Sequence, residues 1–384
     1  MNKIVITTVG TSIFTNAMNT DKKWLIESDA KNLGTKIKRL ESKSFTEIDW
    51  NIEKDKRESI TELVKKSFAK SGFMASAEIK SLIKIAEKTK QDITAHLIAT
   101  DTLLSVLACE LIEYWFKLHY KGDYTISIVF NLNQDRIENL NIDTIRHFKA
   151  GLTTLMTRFY VLLNTNGNEQ LILNITGGYK AIIPYLTILG QVNKVVVKYI
   201  FEDTEELIEI PRLPLSLDES LFDKYTTEFT KLENDTLDIS EHYQFVQEAE
   251  SCLDIDGKEC MLNSLGFALW EKYKSQFFTF KCSDDVWLEI GKQKDIQRIL
   301  ASKFYDSTER ASKNKPELQH KFMFKDGDNN NRIYYFEKNG VVFIYRTFEN
   351  HSEHEKFLKT SFNESIKEQI INNSKTRKIT INHV

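Results

Sequence analysis

Two short stretches carry the residues best suited to hold an anion. Asn174-Ile175-Thr176-Gly177-Gly178-Tyr179-Lys180 follows the apolar run Leu171-Ile172-Leu173 and precedes an apolar segment of helical spacing, Ala181 to Leu189, so it reads as a strand-to-helix turn. Two glycines allow a sharp bend and a close approach to a ligand. The next helix aims its free N–H groups and positive dipole end at the same point, and Lys180 adds a cation. This is the chemistry of a phosphate site. A second such turn opens the chain, where Ile4-Val5-Ile6 runs into Thr7-Thr8-Val9-Gly10-Thr11-Ser12 with its hydroxyls and one glycine. Ala99-Thr100-Asp101-Thr102 makes a third polar turn. Asp101 and Thr102 have a second reading there, as caps of the helix that follows.

Another set of candidates lies near the C-terminus. Lys321, Lys325, Arg332 and Arg346 fall on three successive strand-like runs, and His351 and His354 follow them. RNA can be cut without a metal when its own 2′-hydroxyl attacks the neighbouring phosphate. Such a site needs a base, cations for the pentavalent phosphate and an acid for the leaving oxygen, and Lys, Arg and His supply all three. Arg346 and His351 also fit the R-x4-H spacing of the all-helical HEPN ribonucleases. Arg346, however, ends the alternating run Val341-Val342-Phe343-Ile344-Tyr345, which is strand and not helix. His351-Ser352-Glu353-His354 lacks the H-E-x-x-H order and a nearby third ligand, so no metal site is expected. The absence of a Walker P-loop and of G-x-G-x-x-G removes the ATPase and dehydrogenase readings.

The elements that must position these groups fall into three parts. From Lys3 to about Ile210, strand candidates at 3–9, 93–99, 124–130, 169–175, 194–201 and 206–210 alternate with helical segments near 58–89, 101–120, 141–164 and 179–192. Alternation of this kind predicts a mainly parallel sheet with both faces covered, and ligands then sit beyond the carboxyl ends of the strands. Residues 20–57 read as a polar insertion. After Ile210-Pro211-Arg212-Leu213-Pro214, the best linker, two amphipathic helices are expected at Leu217 to Leu232 and Ile239 to Leu253, and a third opens at Met261. These give a helical, winged-helix-like connector whose acidic residues suit DNA phosphates poorly. The last part reads as strand (277–281), helices (285–312), three strands (321–325, 331–338, 341–348), helix (351–358), a second helix and a closing strand (378–381). Asn339-Gly340 is a strong hairpin signal. The predicted domains are 1–210, 211–276 and 277–384.

A chain of 384 residues with ordinary apolar content suits two or three domains. No apolar run approaches a membrane span and no signal-peptide pattern is present, so a soluble, cytoplasmic protein is expected. Four cysteines without CxxC spacing are expected as free thiols. The net charge of −3 divides into +4 from Phe277 onwards and −7 before it, which hints at a polyanionic partner for the C-terminal part.

The paired motifs Thr8-Val9-Gly10-Thr11-Ser12 and Asn174 to Lys180 resemble the CARF domains of CRISPR-associated ancillary proteins, over roughly residues 1–210. The resemblance implies a Rossmann-like α/β homodimer that binds a cyclic oligoadenylate activator, cyclic tetra-adenylate favoured, across its twofold axis. Gly10, Thr11 and Ser12 would contact the ring from the first turn, with Asn174, Thr176, Gly177, Gly178 and Lys180 from the second; Thr100 and Asp101 share the rim. The strand-helix-helix-meander order of the last part, with Asn331-Arg332-Ile333-Tyr334-Tyr335 and Val341 to Phe348, is similar to the RelE toxins, which are ribosome-associated mRNA interferases. By that likeness the last part is a small α+β domain in which Arg332 and Arg346 stabilise the phosphate, Lys321 or Lys325 contacts RNA, and His351 or His354 moves a proton. The expectation is a metal-independent endoribonuclease without cofactor, switched on by the nucleotide ring and acting on mRNA at the ribosome. Three rivals stay open: a ligand-responsive transcription regulator, a metal-dependent nuclease, and a ring nuclease that cuts its own ligand.

Overall fold

Runs of Val, Ile and Leu form the strands of the N-terminal sheet: β1 (Lys3–Val9), β2 (Ile93–Ala99), β3 (Ile126–Val129), β4 (Leu171–Asn174), β5 (Val196–Ile200) and β6 (Leu207–Ile210). The computed structural model describes residues 2–41, 43–141, 144–200, 206–214, 217–233, 235–317, 320, 322–327, 330–360 and 362–381. Sheet order is β3-β2-β1-β4-β5-β6, parallel except for the edge strand β6. The chain winds outward from β1 in one direction, then returns to the other side of β1 with β4. That reversal makes the carboxyl ends of β1 and β4 the switch point of the sheet, the place where doubly wound sheets bind ligands. The architecture is mixed α/β, compatible with a Rossmann-like domain.

Alternation along β1 feeds two cores. Val5 and Val9 join Ala95 and Leu97 beneath the helices Ser12–Met18, Glu27–Lys38, Lys54–Ser71, Ala77–Thr89 and Leu103–His119. Ile6 joins Leu171, Leu173 and Val197 beneath the helices Ile145–Asn166 and Ile183–Val192 on the opposite face. The six strands lie where the sequence places them, within two residues at each described end; Phe201, expected to end the fifth, lies outside the described residues. The segment expected as one helix over 58–89 is two. Gly72 at φ +53° ends the first, and the Ser76 side chain caps the second by accepting from the Ile79 N–H.

Contacts divide the chain into two units, Met1–Glu271 and Lys272–Val384. The middle segment therefore packs mostly with the first unit. The two long helices expected there are corrected to short pieces, Ser220–Lys224, Thr226–Lys231 and Tyr243–Glu248, followed by a hairpin of β8 (Leu253–Asp256) and β9 (Glu259–Leu262). With β7 (Leu237–Asp238) they form a sheet of order β7-β9-β8. The alternation Leu253-Asp254-Ile255-Asp256 has the strand period, and Gly257 at φ +61° supplies the turn. The helix Ser264–Lys274 follows. Two sets of hydrogen bonds tie this segment to the N-terminal sheet. Gln191 at the end of Ile183–Val192 donates from Nε2 to the Pro211 carbonyl (3.1 Å) and accepts at Oε1 from the Leu213 N–H (2.8 Å). Asn193 donates to the Tyr160 hydroxyl (3.2 Å), which donates to the Ala268 carbonyl (2.6 Å).

In the second unit the strands β10 (Phe277–Cys282), β11 (Met323–Phe324), β12 (Arg332–Lys338), β13 (Val341–Phe348) and β14 (Lys375–Thr380) lie in the order β11-β12-β13-β10-β14. β10 runs parallel to β13 and the other neighbours are antiparallel. Asn339 and Gly340 both take positive φ, 51° and 75°, as a two-residue hairpin between β12 and β13 requires. Helices within 284–312 cover one face, and His351–Phe357 with Glu364–Asn373 cover the other.

Close packing makes one substitution informative. Gly151, on the helix Ile145–Asn166, faces the backbone of Leu140, and a Cβ there would lie 2.4 Å from both its N and Cα. Alanine gains about 1 kcal/mol in helix propensity, but overpacking against backbone costs about 1–3 kcal/mol or more. Gly151→Ala should lower the urea midpoint of the first unit; an unchanged or raised midpoint would show that the helix moves freely.

Candidate functional site

The rim of the N-terminal sheet is organised by a residue that the sequence reading missed. Glu78, fully buried in the first turn of Ala77–Thr89, lies between the two glycine turns. Its Oε1 accepts from the Gly10 N–H (2.8 Å) and its Oε2 from the Ser12 hydroxyl (2.6 Å); Ser12 in turn accepts from the Ala77 N–H (3.2 Å). The Thr8 hydroxyl donates to the Gly177 carbonyl (2.5 Å), which fastens the first turn to the second. Both glycines of the second turn are sterically required. A Cβ at Gly177 would lie 2.0 Å from Glu78 Oε1, and Gly178 holds φ +90° with Thr8 Cβ 3.0 Å from its own would-be Cβ. The same close approach admits only glycine at position 10, whose Cβ would meet the Gly178 nitrogen at 2.9 Å.

The structure thus brings Gly10, Ser12, Gly177 and Gly178 together, as the spacing implied, but engages two of their donors internally. Asn174 is buried and donates to Ser81 (2.7 Å) and Thr7 (3.4 Å). Thr176 donates to Asn174 Oδ1 (2.6 Å) and accepts from the Ile200 N–H (3.0 Å), so it splices β4 to β5. Thr100 and Asp101 are buried as well. Asp101 pairs with Arg136 (2.5 Å) and accepts from the Asn139 N–H (2.8 Å), and the Thr102 hydroxyl caps the next helix by accepting from the Ser105 N–H (3.2 Å). Thr11 and Lys180 stay exposed on the rim, Lys180 just ahead of the helix Ile183–Val192. A short polar N-terminal helix signal, Ser76 with Glu78 two residues on, was the one trace of this arrangement in the sequence.

Residues 73–213 match the model of a family described as CRISPR-associated protein (Cas_APE2256). The match supports a CRISPR association for this chain. It spans just over a third of the sequence, from the helix that carries Glu78 through the second glycine turn to the linker. Within the matched stretch lie Glu78, Asn174, Thr176 and Lys180; the first turn with Gly10 and Ser12 precedes it, and the second unit lies beyond it. Among the described residues no helix is long and apolar enough to cross a membrane. The four cysteines are free and buried.

In the second unit, β12 and β13 bring part of the cationic set to one place. Tyr334 pairs across the sheet with Arg346, and Arg332 with Phe348. Arg332 is buried and donates to the Asn331 carbonyl (3.0 Å), whereas Arg346 is nearly half exposed with Glu289 3.8 Å away. Lys325 is half-buried just past β11, and Lys321 lies outside the described residues. His351 is exposed beside Glu355 (3.3 Å). His354 is 4 % exposed, and its Nε2 lies 2.6 Å from the Tyr334 hydroxyl and 2.9 Å from Glu317 Oε2. Arg346 sits in a strand and His351 begins a helix, so they share no helical face. Sequence reading missed Glu317, His320, Tyr334 and Tyr345. Only their density of Tyr and His near the cations could have revealed them.

Burial holds both interior imidazoles below the ordinary value. For His354 desolvation outweighs the raising effect of Glu317, and Arg332 lowers it further; His320 is lowered by desolvation in the same way. Burial also pushes the Tyr334 and Tyr345 phenols up. The sign of the resulting pH dependence is fixed. On acidification the unfolded chain takes up protons at its ordinary 6.5 before the folded one does. Stability from these groups is thus full above that value and declines as pH falls through it toward the folded pKa. The melting temperature of the second unit should drop between about pH 7.5 and about pH 5.5, and His320→Gln plus His354→Gln should flatten that drop; an equal drop in the variant would assign it elsewhere.

At the N-terminal rim, Glu78→Ala strands two donors, each costing about 1–3 kcal/mol when left unpaired. Chemical denaturation should show Glu78→Ala well below Glu78→Gln, which keeps an acceptor; equal stability would deny the carboxylate its bridging role.

Proposed function

We propose that the chain is a CRISPR-linked effector in which a cyclic oligoadenylate, held at the β1/β4 rim of a homodimer, switches on metal-independent cleavage of RNA by the second unit, with ribosome-bound mRNA as the substrate. One observation carries the reading: the two glycine turns meet at the point where the sheet reverses its winding, inside or beside the stretch that matches the CRISPR-associated family. A symmetric ring presents identical halves to identical rims of two chains. Since Gly10 and Ser12 are spent on Glu78, the grip on phosphate falls to Lys180, Thr11 and the N–H groups leading into the helix Ile183–Val192.

For cleavage, the reading rests on the sheet order of the second unit and on its Arg, His and Glu cluster. The 2′-oxygen attacks phosphorus, the bond from phosphorus to the 5′-oxygen breaks, and a cyclic phosphate and a 5′-hydroxyl result. Arg346 meets the added negative charge on phosphorus, and Arg332 fixes the field behind it. In this reading His354, its pKa lowered by burial, and Glu317 form the proton-accepting pair, and the exposed His351 returns a proton to the leaving oxygen. A ligand activates only by binding the active arrangement better than the idle one.

Two measurements test this. Loss of one charge-assisted contact per chain should weaken activation by cyclic tetra-adenylate roughly 10- to 100-fold in Lys180→Ala; a full response at the wild-type concentration would remove the sensor assignment. Arg346→Gln, at an exposed position that the fold does not need, should cut RNA cleavage roughly 10²-fold, measured with ribosomes present and absent. Undiminished cleavage would displace the site.

A further inference from the structure

We propose that the aromatic cavity beside Arg346 in the second unit is a nucleobase pocket, with the Arg346 guanidinium holding the phosphate attached to that base. The proposal deepens the reading of this unit as RNA-acting, although the pocket stands on its own geometry. The cavity measures about 290 Å³, just under the roughly 300 Å³ at which small-molecule sites begin. That is room for one heterocycle and part of its sugar. Its walls include His320, Tyr345, Arg346, Phe357 and Phe362.

Three features select a base over an apolar side chain. The walls are flat and already stacked: Tyr345 lies on Phe362 with centroids 4.7 Å apart and planes 16° from parallel, and His320 lies on Phe357 at 4.6 Å and 28°. Stacking on such a platform accepts any base, because each has a π face. His320 adds an edge that reads polarity. Its Nδ1 is fixed 3.0 Å from the Tyr345 hydroxyl, while its Nε2 is buried and, among the described residues, has no hydrogen-bond partner. An interior polar atom in that condition is costly unless something binds it. Burial lowers the pKa of this imidazole, and in its neutral form Nε2 is a donor or an acceptor according to the role taken by Tyr345. Arg346 completes the set. It reaches both this cavity and solvent, and its nearest carboxylate oxygen, on Glu289, is 3.8 Å away, beyond a closed hydrogen bond. Guanidinium forks suit phosphate oxygens.

The ligand class is therefore a nucleotide unit, free or within a strand. The test uses the full chain and uncleavable 2′-deoxy hexamers labelled for fluorescence anisotropy, one of deoxyadenosine and one abasic, so that binding is read apart from catalysis. Wild type should bind the base-bearing hexamer about tenfold or more tightly than the abasic one, the range of a single base–aromatic stack. Phe362→Ala should erase that preference, Phe362→Tyr should keep it, and Arg346→Gln should weaken both hexamers alike. Competition by adenosine monophosphate as well as by the hexamer would assign the pocket to free nucleotides; competition by the hexamer alone would assign it to a residue within a strand. Equal wild-type binding of the two hexamers, or a preference that survives in Phe362→Ala, overturns the proposal. Base-dependent binding without any RNA cleavage would leave the pocket standing and sink the nuclease reading.

Discussion

A buried carboxylate holds the N-terminal rim together. A buried carboxyl group without hydrogen-bond partners is costly, so Glu78 persists there because the Gly10 amide and the Ser12 hydroxyl close on its two oxygens. That bargain dictates the sequence around it. The space between the turns admits no Cβ at Gly177, the left-handed backbone of Gly178 favours glycine, and the Thr8 hydroxyl ties the opposing carbonyl. The glycines that look like a phosphate loop are thus demanded first by an internal carboxyl group. Any external anion must be met by what that clasp leaves over, chiefly a lysine at the mouth of a helix.

The second unit solves a different problem. Its β12–β13 pair packs Tyr334, Tyr345 and Phe348 against His320, His354 and Phe357, and burial lowers the pKa of both imidazoles. Hydroxyl and carboxylate partners then orient them. The register puts Arg332 and Arg346 on one face of the sheet, since Arg346 stands opposite Tyr334, two residues on from Arg332. Arg332 is buried there while Arg346 stays nearly half exposed, so a set that looks uniform in the sequence separates into a buried field and an exposed contact.

Much of this was legible from residue order. Val- and Ile-rich runs separated by helical periods gave the six strands of the first sheet, and Asn339-Gly340 gave the hairpin, because backbone conformation there depends on residues that are neighbours in the chain. What stayed hidden depends on partners far apart. Beyond the helix-start signal of Ser76, no residue near Glu78 announces that it will meet Gly10 and Gly177, and Thr100, Asp101, Asn174 and Thr176 look like ligand donors until their interior partners are known. The middle segment was misread for a related reason: Leu253 to Asp256 can be fitted to either period over so short a run, and pairing with Glu259–Leu262 decides in favour of strand.

The amide of Gln191 bears on how force leaves the first sheet. By gripping the chain on both sides of Arg212, it makes the Pro-containing exit behave as a riveted joint instead of a swivel. The far end of Ile183–Val192 is thereby hydrogen-bonded to residues 211–213, and the Asn193–Tyr160–Ala268 relay bonds the same end to the helix Ser264–Lys274. Two attachments at the end of one short helix constrain direction as well as distance, so a tilt of that helix would have to turn both partners with it.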